Sequence, residues 1–420
     1  MALGLFIIIG MYAVSVRGET LDAYAENENG CWSSATCTFL AIDWGEPASY
    51  IVDGRLPTEI GRQNNLRYLS LNVNSITGSL PTELGLLTTL ITMSLSIRSL
   101  TGTAPTELGR MRNVQWLELY ARLSGKIPTE LGNVTSLTGL QLRGNALTGS
   151  IPAGLSALTK LEWLNLADNS FTGMVPTELG LITSMSMLWL VDNSLTGSVP
   201  TELGKMELLE ELSLAENSLT CSIPTTIGRM VSLERVVLTG NSLTGALPSE
   251  LGSMGILDEF EIENNFLTGT LPTEMGLMKS LFQILLGNNS IAGSLPTELG
   301  GADSLQYFLV NDNSLTGSLP TTLPDLVSLA LDSNSLTGTL PTTVGQMTNL
   351  MYLLLHRNSL QGSIPTEFGQ NIYLLQFGLH MNSLAGSMPT ELGRLGRLTD
   401  LTLDSNSLQG SIPSQMGGLS

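Results

Sequence analysis

One unit, Leu-x-x-Leu-x-Leu-x-x-Asn followed by Leu-Thr-Gly-x-Ile-Pro, governs almost the whole chain and stands complete between Leu137 and Pro152. Sixteen prolines from Pro57 to Pro413 mark its returns, at gaps of 24 residues except for 23 after Pro105 and 21 after Pro320. Such a period means that each unit is one supersecondary element that cannot bury its apolar side alone, so neighbours must stack around a shared core. The two or three domains that 420 residues would ordinarily imply give way to a single elongated array.

The unit assigns a task to each position. Leu140 and Leu142 alternate with Gly139, Gln141 and Arg143, the period of a strand with one buried face. Asn145 follows where the chain turns inward, and its amide can both donate to and accept from backbone groups that the turn leaves unpaired. Gly149 permits a second turn. Pro152 suits the first position of a short helical turn, and in most units a Glu two residues on, as in Pro57-Thr58-Glu59, is favoured by the positive end of the helix dipole.

This repeat resembles the plant-type extracellular leucine-rich repeat, a family of receptor-kinase ectodomains, receptor-like proteins and polygalacturonase inhibitors. Its uniform PTELG filler is similar to arrays in microalgal surface proteins. The resemblance covers residues 54–420 and implies an α/β repeat solenoid: a right-handed horseshoe with a parallel concave sheet and short helical or 3-10 turns on the convex side. It also implies that the concave face binds the ligand. The cysteine-and-tryptophan segment at 19–53 resembles the cap of such arrays, which implies a Cys31–Cys37 disulfide and a cover made by Trp32, Phe39, Ile42 and Trp44.

Residues 2–16 form an apolar run too short to span a bilayer comfortably. With Val16 and Gly18 before the cut, residues 1–18 read as a secretory signal peptide; an uncleaved membrane anchor is the alternative, because no Lys or Arg precedes the run. Asn133 and Asn288 open glycosylation sequons. Cys221 replaces the glycine of Leu-Thr-Gly and is expected to be a small, partly buried free thiol. The chain ends inside a repeat, as a tolerated bare coil or a truncated product, and its oligomeric state is not encoded in any feature of the repeat.

A net charge of −19 argues against nucleic acid and anionic membrane surfaces as partners. Eleven of the 37 acids are the Glu of the proline turn and need no ligand. On the outward strand positions, sorting by repeat gives three patches. The first is aromatic: Trp116 and Trp163 share a row with Gly139 between them, leaving a gap that could admit a ring, with Tyr68, Glu118, Tyr120 and Trp189 around it. The second is acidic, with Glu210, Glu234 and Asp258 in one row, Glu211, Arg235 and Glu259 in the next, and Glu216, Glu261 and Glu263 beside them. Like charges in register are destabilising unless a basic partner or a cation such as calcium relieves them. The third is the row Asp332, His356, His380, Asp404, whose donors suit zinc.

Three repeats depart from the pattern. Arg98 and Arg122 replace the asparagine, so those loops must rearrange and expose a guanidinium. The 21-residue repeat, PTTLPDLVSLALDSN, lacks a helical side. No cofactor motif and no catalytic constellation occurs, so a non-catalytic recognition protein, secreted or at the cell surface and binding a protein, peptide or glycan, is expected. An inhibitor of a cell-wall-degrading enzyme is the alternative. Ice binding through the Thr58, Thr82, Thr106 ladder is disfavoured by the adjoining Glu row.

Overall fold

A computed structural model describes residues 39–42, 54–72 and 76–418. The signal peptide, Cys31, Cys37 and most of the expected cap lie outside the described residues. The chain divides into two compact units, one ending at Thr172 and one beginning at Gly173.

Each coil of either unit carries one short strand of the long parallel sheet; most add a second short strand after the asparagine, as Ala146–Gly149 follows Gly139–Gln141, and most have one 3-10 turn. In the first unit the strands Phe39–Ile42, Tyr68–Leu71, Thr92–Ser96, Trp116–Tyr120, Gly139–Gln141 and Trp163–Asn165 pair in parallel and in chain order. In the second unit the strands run from Met187–Trp189 to Asp400–Thr402 with the same parallel, sequential pairing. This is the expected α/β repeat solenoid.

The inward leucines build the core: Leu140, Leu164, Leu188 and Leu212 are at most 1% exposed. Burial of each such side chain contributes about 1.5–3 kcal/mol, repeated at every coil. Phenylalanine stands in for leucine at Phe171, Phe260, Phe308, Phe368 and Phe377, all fully buried, and the last two touch at 5.1 Å.

Opposite the strands, turns such as Thr177–Leu181 begin after a proline in extended conformation and bury their Leu. The Thr hydroxyl donates to the carboxylate of the following Glu, as Thr82 does to Glu83 at 3.2 Å, so the Glu row is tethered within its own turn. The Gly that ends PTELG is a spacing device. A Cβ on Gly85 would lie 2.3 Å from the Glu107 carbonyl oxygen, closer than any side chain allows. The coil that follows Pro320 has no helical turn, as its sequence predicts, and the next turn is a short α-helix, Thr342–Gly345.

The asparagines act as ladder rungs between coils. Asn241 accepts from the Leu219 N–H at 2.9 Å, and its Nδ2 donates to Leu214, Leu238 and Thr239 carbonyls at 3.0, 3.1 and 3.3 Å. The residue before each rung is left-handed, as at Asp168, Glu216 and Met381 (φ 54, 50 and 56°). Ile97 and Ala121, which precede Arg98 and Arg122, are not among the left-handed residues and are buried instead. Without a rung from Arg122, the Leu100 N–H bonds the Ile97 carbonyl of its own coil at 3.1 Å. Both arginines are exposed, as the lost asparagine predicts.

Candidate ligand-binding face

The outward strand positions of the first unit are aromatic but closed. Trp116 and Trp163 both register with Gly139, and their rings meet edge to face with centroids 5.6 Å apart. A Cβ on Gly139 would lie 2.2 Å from Trp116, so the indole itself fills the gap expected to admit a ligand ring. That expectation is corrected: the glycine serves indole packing. Tyr120 is flanked on both sides. The Arg98 guanidinium bonds its hydroxyl and lies 4.8 Å over its ring, while Gly144 of the next coil takes its other edge. Glu118 accepts from the Ser94 hydroxyl at 2.9 Å, and Tyr68 is exposed two coils away from Trp116.

The acidic patch belongs to the second unit. Backbone bonds from Glu234 to Glu210 and from Asp258 to Glu234 hold the first row in register, with all three side chains exposed. Strand pairing aligns Glu211, Arg235 and Glu259 in the second. Arg235 bridges Glu259 at 2.8 Å and Glu261 at 3.3 Å, and Glu211 accepts from the Trp189 indole N–H at 3.0 Å. Trp189 thus sits beside the acidic coils of the second unit. The Glu216 carboxylate lies over Gly240. Burial, then the neighbouring Glu261 charge, raises the pKa of Glu263.

At the far end of the unit, His356 and His380 are neighbours as expected, stacked with centroids 4.3 Å apart and planes 13° from parallel. His356 Nε2 meets Asp332 at 3.3 Å, and His380 Nδ1 meets the Thr402 hydroxyl at 3.0 Å. Burial is the main cause that lowers the His356 pKa and raises that of Asp332. Ring-nitrogen lone pairs lie in the ring planes, so stacked imidazoles aim them along parallel planes rather than at one point. Asp404 is exposed and accepts from Ser405. Among the described residues no group of three His, Cys, Asp or Glu side chains is arranged to hold a metal, which corrects the zinc expectation for Asp332, His356, His380 and Asp404.

Cys221 is a free thiol as expected, but it is exposed rather than partly buried. It stands where other coils have a left-handed glycine and takes the same conformation (φ 66°), which directs a side chain away from the core. Asn133 is exposed at the end of the turn Thr129–Asn133, opposite the strands, whereas Asn288 at the strand end is exposed and bonded to Asn264 at 2.8 Å.

An uncharged surface lies beside the acids. From Phe282 to Gly378 the same three outward rows hold Phe282, Gln306, Val327, Met351 and Leu375; Gln283, Tyr307, Ser328, Tyr352 and Gln376; and Leu285, Leu309, Ala330, Leu354 and Gly378. Runs such as Tyr352-Leu353-Leu354-Leu355 hide this surface, because outward and inward leucines look alike until alternation is imposed.

Coils of short parallel strands and a turn, stapled by asparagine rungs, define a repeat solenoid whose main sheet offers one continuous side-chain surface per unit. Residues 65–87, 160–181, 208–230, 232–254 and 349–371 match the family described as Leucine Rich Repeat. A solved leucine-rich-repeat protein of Leptospira interrogans is 30% identical, covering 94% of this chain and 95% of its own, with a TM-score of 0.71. The chain belongs to the leucine-rich-repeat family, and its repeat is of the plant extracellular type. The plant peptide hormone receptor RGFR1, solved in complex with RGF2, is 32% identical over 98% of this chain, with a TM-score of 0.90; the chain spans 64% of that receptor chain. The Arabidopsis receptor kinase HAESA, solved with the peptide hormone IDA and the co-receptor SERK1, is 28% identical over 95% of this chain and 77% of its own, with a TM-score of 0.67. No curated protein matches the chain in sequence. Among the described residues no helix is long and apolar enough to cross a membrane.

Proposed function

We propose that the chain is an extracellular recognition protein that binds a peptide, or an extended segment of a protein, on the outward sheet face of its second unit. The observation that carries this reading is charge without compensation. Glu210, Glu234, Asp258 and Glu263 form no ion pair among the described residues, and Arg235 is the one cation in these rows. Like charges in register cost stability in the free protein, and a basic ligand would remove that cost. Plant relatives solved with peptide hormones support the reading.

The test is selection from a displayed library of randomised linear peptides, with the chain as bait and the Glu234→Lys, Asp258→Lys double variant in parallel. The reading requires peptides captured by the parent and lost by the variant at an unchanged melting temperature. Equal capture by both, or none by the parent, contradicts it.

A further inference from the structure

Apart from the peptide face, we infer that the first unit carries a docking surface for a linear anionic polysaccharide. Its sulfate or carboxylate groups are received by Arg55, Arg98, Arg122 and Lys126.

The net charge of −19 hides an unequal division. Residues 173–420 carry 23 Asp and Glu against seven Lys and Arg, whereas residues 54–172 carry seven against ten. The excess of cations has a definite place. In every coil of the second unit, the six residues that start at the rung asparagine, as in 193–198, hold no charge. The same stretch in the first unit holds four cations and, among the described residues, no acid. All four fall within four consecutive coils, are exposed, and form no ion pair among the described residues. Two of them, Arg98 and Arg122, stand where an asparagine would join one coil to the next, so the charge is gained at the expense of rungs.

The short second strands set the spacing. Gly54–Arg55, Ile76–Ser79 and Leu100–Thr101 pair in parallel, and a bridge from Thr103 to Ser124 carries the surface into the next coil. Three steps of about 4.8 Å put Arg55 roughly 14 Å from Lys126, and four residues at about 3.3 Å each put Arg122 about 13 Å from Lys126. The side chains rest on the following coil. A Cβ on Gly78 would lie 3.3 Å from Arg55 Cγ, and one on Gly149 would lie 3.0 Å from Lys126 Cγ. Arg98 bonds the Tyr120 hydroxyl and lies 4.8 Å over its ring. Stems held in this way have less freedom to lose when an anion binds.

The surroundings select the class of polymer. Thr77, Ser79, Thr101 and Thr103 present exposed hydroxyls between the cations. Among the described residues, no large apolar side chain is exposed on these rows of the first unit. A protein partner is anchored by aromatic or apolar groups, and a single-stranded nucleic acid by aromatic platforms. Guanidinium forks, an ammonium and hydroxyls match the charged groups and hydroxyls of a sugar chain instead.

The experiment is binding of the full chain to immobilised dextran sulfate and carboxymethyl dextran at neutral pH, with unmodified dextran as the blank. Despite its negative net charge, the parent should bind at low salt and be released as salt rises. Arg122→Gln with Lys126→Ser should bind at least about tenfold more weakly, with a slope of log affinity against log salt shallower by about one to two. Arg55→Gln, at the other end of the patch, should shift both readouts in the same direction and serves where the double variant fails to fold. Lys205→Gln with Arg229→Gln removes the same charge from the second unit and should stay within about twofold of the parent. The charged resin that binds more tightly names the anion. A parent that passes both charged resins, an equal loss in the second-unit variant, or tighter binding to single-stranded DNA or phosphatidylserine vesicles overturns the inference. Each of these results leaves peptide capture by the second unit standing.

Discussion

Removing one rung should show how much of the solenoid's stability passes from coil to coil through asparagine. Asn241 is 7% exposed and makes four hydrogen bonds to the backbones of its own and the preceding coil. Asn241→Ala orphans the buried Leu219 N–H, at about 1–3 kcal/mol, and deletes two good donations to carbonyls, at about 1 kcal/mol each. A loss of roughly 3–5 kcal/mol follows. The rescue seen at Leu100, where the N–H turns to the carbonyl of Ile97, is closed to Leu219 because Glu216, at the place of Ile97 in its coil, is left-handed (φ 50°). Asn241→Asp should cost no less, since it keeps the acceptor but buries a charge and removes every donor. Urea denaturation gives the energy, and hydrogen exchange locates it at the Leu219 amide. A loss below about 1 kcal/mol with that amide still protected would refute the reasoning.

Three further outcomes follow from the geometry. Gly139→Ala should cost about 1–3 kcal/mol by overpacking against Trp116, and the exciton signal of the Trp116–Trp163 pair should vanish from the circular dichroism; an unchanged spectrum would contradict the closed gap. Glu263→Gln should stabilise the protein near neutral pH, because a raised carboxyl pKa penalises the folded state above it. The gain should disappear below the ordinary carboxylate range, where both states are protonated, and thermal melts at the two pH values check it. With its pKa lowered by burial, His356 resists protonation when folded, so the parent should lose stability as pH falls through the ordinary histidine range. His356→Gln should lose less, and equal slopes would sink the assignment.

The fold was legible because the repeat writes its own contacts: the inward leucines, the asparagine rungs and the proline turns all fall where the period places them. The altered loops were legible only in part. Arg98 and Arg122 announce that the rungs are missing, while the way each coil is repaired lies in the apolar Ile97 and Ala121 just before them. The aromatic row misled because registering Trp116, Gly139 and Trp163 says nothing about where large rings turn once a neighbour offers space. The zinc expectation failed similarly, since adjacency fixes the separation of His356 and His380 but not the direction of their lone pairs. Cys221 could have been placed correctly: a residue in a glycine's left-handed position points away from the core. The apolar half of the second unit stayed hidden within leucine runs.

The account's central claim is that peptide recognition belongs to the outward sheet face of the second unit. Hydrogen exchange of the chain with and without a captured peptide tests it most directly. The account predicts new protection in strands from Glu211–Ser213 to Tyr352–Leu354, with the 3-10 turns on the opposite side unchanged. Protection confined to those turns, or to Trp116–Tyr120 in the first unit, would contradict it.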